Sequence, residues 1–279
     1  MSVVPYKRSR WQTLRETLGY HRRVLRVIVS VEFKLKYSDS LLGYVWSIAR
    51  PLAYFSVIWV LLGGIFGGGV KIPNYPLYLL LGIVIFTYFV DAVGLQMASI
   101  VSGGGLLRKI YFPRLIIPLS ATGTATMTFA VNTLAVVVFI AASRLTPQAS
   151  WLLIPPLLLE LYLFMLGFGL FLAMAYTRFR DVGQLWDLGA QLLFFALPVM
   201  YSISFLSTPY QKVIMLNPVA QVMQDIRRII LGPELDPQTI AAVWGFREAR
   251  AIPAAIAVGT FVVGLLLFQR DSKNFAERV

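Results

Sequence analysis

The sequence predicts an all-α integral membrane protein with six transmembrane helices and both termini in the cytoplasm. It adds an amphipathic N-terminal interface helix, and re-entrant or outer helices between the fifth and sixth spans. Three observations carry this prediction. The chain is 58% hydrophobic and only 14% charged, whereas soluble domains run near 45–50% apolar and about 25% charged. Six segments approach the roughly 20 apolar residues that cross a bilayer. Basic residues gather on alternate connections, the pattern that orients spans with Lys and Arg inside.

From the N-terminus, residues 1–45 form a cytoplasmic interface segment. The opening stretch MSVVPYKRSRWQTLRETLGYHRRVLR is too polar for a signal peptide, so the first hydrophobic segment is expected to stay in the membrane. Between Trp11 and Phe33, the residues Trp11, Leu14, Leu18, Val24, Leu25, Ile28 and Val29 recur among basic neighbours. That spacing predicts an amphipathic helix lying in the cytoplasmic interface. Residues 46–270 make the six-helix domain, with spans at Trp46–Phe66, Leu77–Val101, Leu115–Ala142, Trp151–Tyr176, Leu185–Leu206 and Ile252–Phe268. The third contains SATGTATMTFAVNT, Ser120 to Thr133, whose small residues suit close helix packing in lipid. Residues 207–251 form an outer gate region, and 271–279 a cytoplasmic tail. Within the gate region, LNPVAQVMQDIRRIILG starts with the helix signal Asn217-Pro218 and stops at Gly232-Pro233. Its apolar residues recur at intervals of 3 and 4, as in an amphipathic helix too short to span.

Basic residues fix the orientation. The segment up to Arg50 is rich in them, and Arg108, Lys109, Arg114, Arg178, Arg180, Arg270, Lys273 and Arg278 fall on the same side. The short opposite connections offer only Lys71 and Arg144. The net charge of +12 is therefore a topology signal and a contact for anionic lipid, and nucleic acid is not an expected partner.

Several chemistries are excluded or left without residues. The absence of cysteine removes disulfides, thiolate metal sites and cysteine nucleophiles. The sole histidine, His21, sits beside Arg22 and Arg23 on a polar face. No metal-ligand cluster, nucleophile elbow or paired carboxylates on one helical turn occur, so no metal site, catalytic residue or enzyme activity is expected. The stretch VSGGGLLRKIYFPR, Val101 to Arg114, has glycines followed by Arg108 and Lys109. A phosphate-binding P-loop needs a glycine immediately before the lysine and a hydroxyl after it. Arg108 and Ile110 occupy those positions, so this is no nucleotide site.

Acids at membrane depth mark functional sites by default. Asp91 and Glu160 fall within predicted spans, and Asp187 lies near the start of the fifth. Two readings stay open for them: interior-facing acids paired with local donors, or a proton relay of a secondary transporter that needs no ATPase. The many aromatics include Trp46, Trp151, Trp186 and Tyr176 near span ends, as an interfacial belt would place them. Deeper aromatics pack helices, face lipid, or offer sliding contacts to sugar rings.

Five stretches fall in one order: FKLKYSDSLLGYVWSIARPL, LLRKIYFPRLIIPLS, YTRFRDVGQLWDL, LPVMYS and LNPVAQVMQDIRRIILG. Together they resemble the permease subunit of type-2 ABC exporters, and most closely the group that exports lipid-linked polysaccharides such as O-antigen and teichoic acid. Permeases for drugs or lipids share the architecture and remain the alternative. The resemblance covers nearly the whole chain. It implies a homodimer in the bacterial cytoplasmic (inner) membrane, paired with two copies of a separate ATPase subunit. ATP and magnesium would bind there, and no cofactor would bind this chain. It assigns ATPase coupling to Leu106, Leu107, Arg108, Lys109, Ile110 and Tyr111. A head-group entrance would use Lys34, Lys36, Leu42, Gly43 and Arg50. Tyr54, Trp59, Phe194, Phe195 and Tyr201 would be aromatics near the conduit, and Asn217, Pro218, Asp225 and Arg227 would belong to the outer gate.

Overall fold

The computed structural model describes residues 10–38, 43, 45–65, 72, 74–103, 114–232 and 239–272, and every element among them is helical. In order these are α1 (Arg10–Ser38), α2 (Val45–Trp59, continued by a π-helical turn at Val60–Ile65), α3 (Tyr75–Ser102), α4 (Ile116–Ala142) and α5 (Ile154–Arg178, entered through a 3-10 turn at Ala149–Leu153). There follow α6 (Val182–Ala196), α7 (Thr208–Ile214), α8 (Pro218–Leu231), α9 (Ile240–Trp244) and α10 (Ala251–Asp271).

Among the described residues, five helical segments are long and apolar enough to cross a bilayer: Val45–Leu62, Tyr75–Ser102, Ile116–Ala142, Ala149–Arg178 and Arg247–Asp271. They coincide with five of the predicted spans. The remaining one, Leu185–Leu206, takes a different form. α6 has 15 residues, a rise of about 22 Å, which falls short of a hydrocarbon core ~30 Å thick. It ends because Pro198 follows Leu197, and a proline ring crowds the helical conformation of the residue before it. Leu197 is accordingly extended, with φ −85° and ψ 151°. The chain then passes through a short 3-10 turn at Ile203–Phe205.

α3 is the axis of the bundle. In its most apolar stretch 78% of residues are buried, against 17–39% in the other four spans. It is hydrophobic on every face, as a helix enclosed by others must be, and α2, α4, α5, α6 and α8 all pack on it. The outer spans turn apolar residues such as Leu134, Val138, Leu159 and Val263 outward, which in a multi-pass membrane protein is the lipid-facing surface.

α5 and α10 cross closely at two glycines. A Cβ on Gly167 would strike the backbone of Thr260 and Phe261, and one on Gly264 would strike the Gly167 carbonyl. Small residues permit such backbone approach, which lipid-embedded helices exploit in place of hydrophobic exclusion.

α1 lies along α4. The Glu32 carboxylate accepts from Ser120 Oγ at 3.2 Å and Thr124 Oγ1 at 3.0 Å, and Lys36 Nζ donates to Thr128 Oγ1 at 3.4 Å. Positions 32 and 36 on one helix, and 120, 124 and 128 on the other, are each spaced by four and so share a face. The Ser/Thr-rich third span thus serves as a polar dock for α1 as well as a close-packing surface.

Candidate functional site

A cavity of about 600 Å³ opens between α2, α3 and α6. Its wall is built from helical stripes. α2 contributes Arg50, Tyr54, Ile58 and Leu62; α3 contributes Ile83, Thr87 and Asp91, with Phe86 beside them; α6 contributes Gln191, Phe194 and Phe195. Steps of about four residues keep each set on one face. Arg50 and Asp91 therefore share one end, and Arg50 and Lys36 both act electrostatically on Asp91. From Arg50 to Leu62 the helical rise is about 18 Å, so the cavity is an elongated groove.

The groove has aromatic walls and an uncovered side. Phe194 packs edge-on to Phe86 at 5.3 Å and to Phe195 at 5.5 Å between ring centroids. Tyr54 is 56% exposed and Phe195 67% exposed, so the rest of the chain leaves their ring faces accessible. Among the described residues the polar groups are few: one cation and one carboxylate at the end, with the Tyr54 phenol, a threonine hydroxyl and a glutamine amide along the wall. Such a surface offers an anion a guanidinium and offers a ring-shaped solute broad, non-directional contact.

Of the residues expected at the entrance and conduit, Arg50, Tyr54, Phe194 and Phe195 come together here. Trp59 lies outside the lining, stacked on Phe55 at 6.3 Å. Tyr201 also lies outside it: its hydroxyl donates to the Ala196 carbonyl at 2.9 Å, and its own carbonyl accepts from the Tyr78 hydroxyl at 3.0 Å, bracing the break after α6. Lys34 is exposed on the last turns of α1, and Gly43 forms a turn with φ 47°. Leu42 and the coupling residues Leu106, Leu107, Arg108, Lys109, Ile110 and Tyr111 lie outside the described residues. Sequence reasoning did not find that Asp91 shares the groove with Arg50. The signal available was antiparallel register between consecutive spans, which sets the start of the first against the end of the second.

Trp186, expected in an interfacial belt, is buried instead, with its ring 5.7 Å from Phe89. Asp187 faces outward. Asp91 and Glu160 line different cavities.

Beyond the groove, α8 forms a buried cap. Asn217 caps it by accepting from the Val219 amide at 2.9 Å, and Pro218 occupies its first turn, as the sequence signal indicated. Arg227 is 2% exposed, and each of its three side-chain nitrogens donates. Nε donates to the Tyr78 carbonyl at 3.1 Å, Nη1 to the Pro198 carbonyl at 2.6 Å and Gln224 Oε1 at 3.2 Å, and Nη2 to the Val199 carbonyl at 2.6 Å. Its guanidinium carbon lies 3.5 Å from the centroid of the Tyr78 ring. Gly82 gives it room, since a Cβ there would strike Nη2. Asp225, two residues earlier, has its carboxyl pushed up by burial, an effect that Arg250 opposes.

Comparison with known proteins places this architecture. The O-antigen export system permease protein RfbA of Klebsiella pneumoniae is 26% identical over 265 residues, covering 95% of this chain and 98% of the relative. The protein of the same name from Myxococcus xanthus is 26% identical over 265 residues, covering 94% and 97%. The ABC-2 type transporter family matches residues 23–231, from within α1 to the end of α8, and the chain is a member of that family of multi-pass membrane transport proteins.

Proposed function

We propose that this chain is the transmembrane subunit of an ATP-driven exporter that moves a lipid-linked polysaccharide, such as an O-antigen, across the bacterial cytoplasmic membrane. The observation that carries this reading is the groove between α2, α3 and α6, with Arg50 at one end and the rings of Tyr54, Phe86, Phe194 and Phe195 along it. Flat aromatic faces let a glycan slide without being trapped by directional bonds. Arg50 is suited to the phosphate of a lipid carrier at the moment of entry. The full-length similarity to O-antigen export permeases supports the same substrate class.

Both termini are cytoplasmic in this reading. α6 and the segment to Leu206 form the fifth crossing, α10 forms the sixth, and α8 caps the outer end. α1 lies in the cytoplasmic interface, with Val27, Val31 and Leu35, a stripe of exposed apolar residues, turned to the acyl boundary. The uncovered side of the groove is closed by a second copy of the chain. Two separate ATPase subunits bind ATP and magnesium. Their closure reaches the permease through Leu106 to Tyr111 and through α1, and the paired copies of α2 and α6 part to admit the glycan.

The test is gentle purification from native membranes, followed by a charge reversal. A stoichiometric ATPase chain is expected to copurify. Arg108→Glu with Lys109→Glu should leave the permease folded while ATP hydrolysis no longer drives export. Normal export by that double variant would remove the coupling assignment. Transport by a preparation free of any ATPase would replace the exporter reading with ion coupling through Asp91 or Glu160.

A further inference from the structure

A second cavity, of about 420 Å³, lies where α5, α8 and the start of α10 meet, separate from the groove. Two carboxylates, Glu160 and Asp225, and two guanidiniums, Arg228 and Arg250, line it together with Gln221 and Gln148. Three of its polar atoms are buried with no hydrogen-bond partner among the described residues: Glu160 Oε1, Gln221 Oε1 and Asp225 Oδ1. Gln221 is 1% exposed and Asp225 4%, so these two are interior groups, and Glu160 is half-buried beside them.

All three orphans are acceptors, and none of the donors nearby reaches them. Gln221 Nε2 donates to Asp225 Oδ2 at 2.7 Å. Arg228 Nη1 donates to Thr239 Oγ1 at 3.4 Å. Arg250 Nη2 stands 3.7 Å from Asp225 Oδ1, an ion pair longer than a hydrogen bond. Buried acceptors left unpaired are unfavourable and rare in native folds, and each of these calls for an O–H or N–H donor.

The charge balance narrows the donor. A simple anion brings no donor and meets two carboxylates, while a cation meets two guanidiniums. A neutral polyol satisfies both sets, since each hydroxyl donates to an orphaned acceptor and accepts from a guanidinium. A cavity of this size also falls within the range of small-ligand sites. We infer that this cavity binds one neutral sugar residue, through Glu160, Gln221 and Asp225 as acceptors and Arg228 and Arg250 as donors. Its position on the outer side, and the exported glycan as the source of the sugar, rest on the export reading above. A residue seated there ties the α8 cap to α5 and α10 on the exit side.

The test is saturation-transfer NMR on the full chain in lipid nanodiscs, purified with its copurifying subunits, using glucose, galactose and mannose in turn. At least one hexose is expected to show transfer. Glu160→Leu and Gln221→Leu should each weaken it about fivefold, the loss of about one hydrogen bond, while Val138→Ala on the outward face of α4 leaves it unchanged. If either cavity variant fails to fold, Ser150→Trp, which fills the space from a third lining position, should abolish the signal. Absence of transfer from all three hexoses overturns the inference. So does transfer kept in the cavity variants but lost in Phe195→Leu in the groove, or displacement of hexose by inorganic phosphate alone. Hexose binding by a preparation that transports with no ATPase present would overturn the exporter reading and leave the site standing. ATPase-coupled export without hexose binding would do the reverse.

Discussion

Arg227 in α8 and Arg50 in α2 are both guanidiniums within one helical bundle, yet their surroundings differ completely. Arg227 is enclosed, its fork filled by the carbonyls of Tyr78, Pro198 and Val199 and by Gln224, with the Tyr78 ring beneath it. Arg50 is exposed at the end of an aromatic groove, opposite Asp91. A guanidinium whose every nitrogen is engaged by its own chain has little left for a ligand, and acts as a fastener. One that stands on an open wall keeps donors available. The difference separates a cap that must hold its shape from a passage that must let something by.

The largest effect should come from removing the fastener. Arg227→Met fills similar volume but leaves the carbonyls of Pro198 and Val199 without their donor, while that of Tyr78 keeps its bond within α3. At about 1–3 kcal/mol for each buried group left unpaired, the loss is at least ~2 kcal/mol, or roughly 4 °C in midpoint for a chain of this size. Thermal unfolding in nanodiscs measures it. Arg227→Lys should recover little, because an ammonium cannot present several N–H groups in a planar fork. Full recovery by lysine would mean that charge alone holds the cap, and the contrast with Arg50 would lose its basis.

The sequence carried the five long spans clearly because lipid imposes a coarse rule: enough consecutive apolar residues to cross. It carried the α8 boundaries because Asn217-Pro218 and Gly232 act locally on backbone conformation. The form of the segment after α6 was less legible, since Leu185–Leu206 is apolar throughout and only Pro198 marks where the helix stops. Contacts between elements were least visible. That Arg227 reaches the break after α6, or that Glu32 meets Ser120 and Thr124, depends on which helices become neighbours, and hydropathy does not encode that. For the groove, the aromatic residue types were found, while selecting Tyr54 over Trp59 required the rotation of α2.

An intermediate effect is expected where α1 docks on α4. Glu32→Ala removes the acceptor of the Ser120 and Thr124 hydroxyls, which retain bonds to the Ile117 and Ser120 carbonyls. The loss should therefore stay near ~1 kcal/mol. The absence of native cysteine gives a direct readout. A Cβ built on Gly123 lies 3.6 Å from the Val29 Cβ, within the ~3.5–4.5 Å that a disulfide requires. Val29→Cys with Gly123→Cys should cross-link readily under mild oxidation, and adding Glu32→Ala should slow that reaction. Unchanged cross-linking would show that the apolar contacts of Val29 suffice and that the carboxylate is incidental.

The smallest effect on stability, and the most specific effect on export, belongs to Phe195. With its ring 67% exposed on the groove wall, Phe195→Ala takes little from the packed interior, so its unfolding midpoint should match that of the parent chain. Export of the glycan should nonetheless fall, by about fivefold if the ring contributes roughly 1 kcal/mol to each passing sugar. Phe195→Leu separates two explanations of that loss. Leucine restores apolar bulk but offers no flat π face, so export should remain low if sugar rings slide on aromatic surfaces. Full recovery with leucine would mean that the groove needs only a greasy wall. The aromatic lining would then be a matter of packing, like Trp186 beside Phe89, and the polar groups Arg50, Asp91, Thr87 and Gln191 would be left to discriminate what enters the groove.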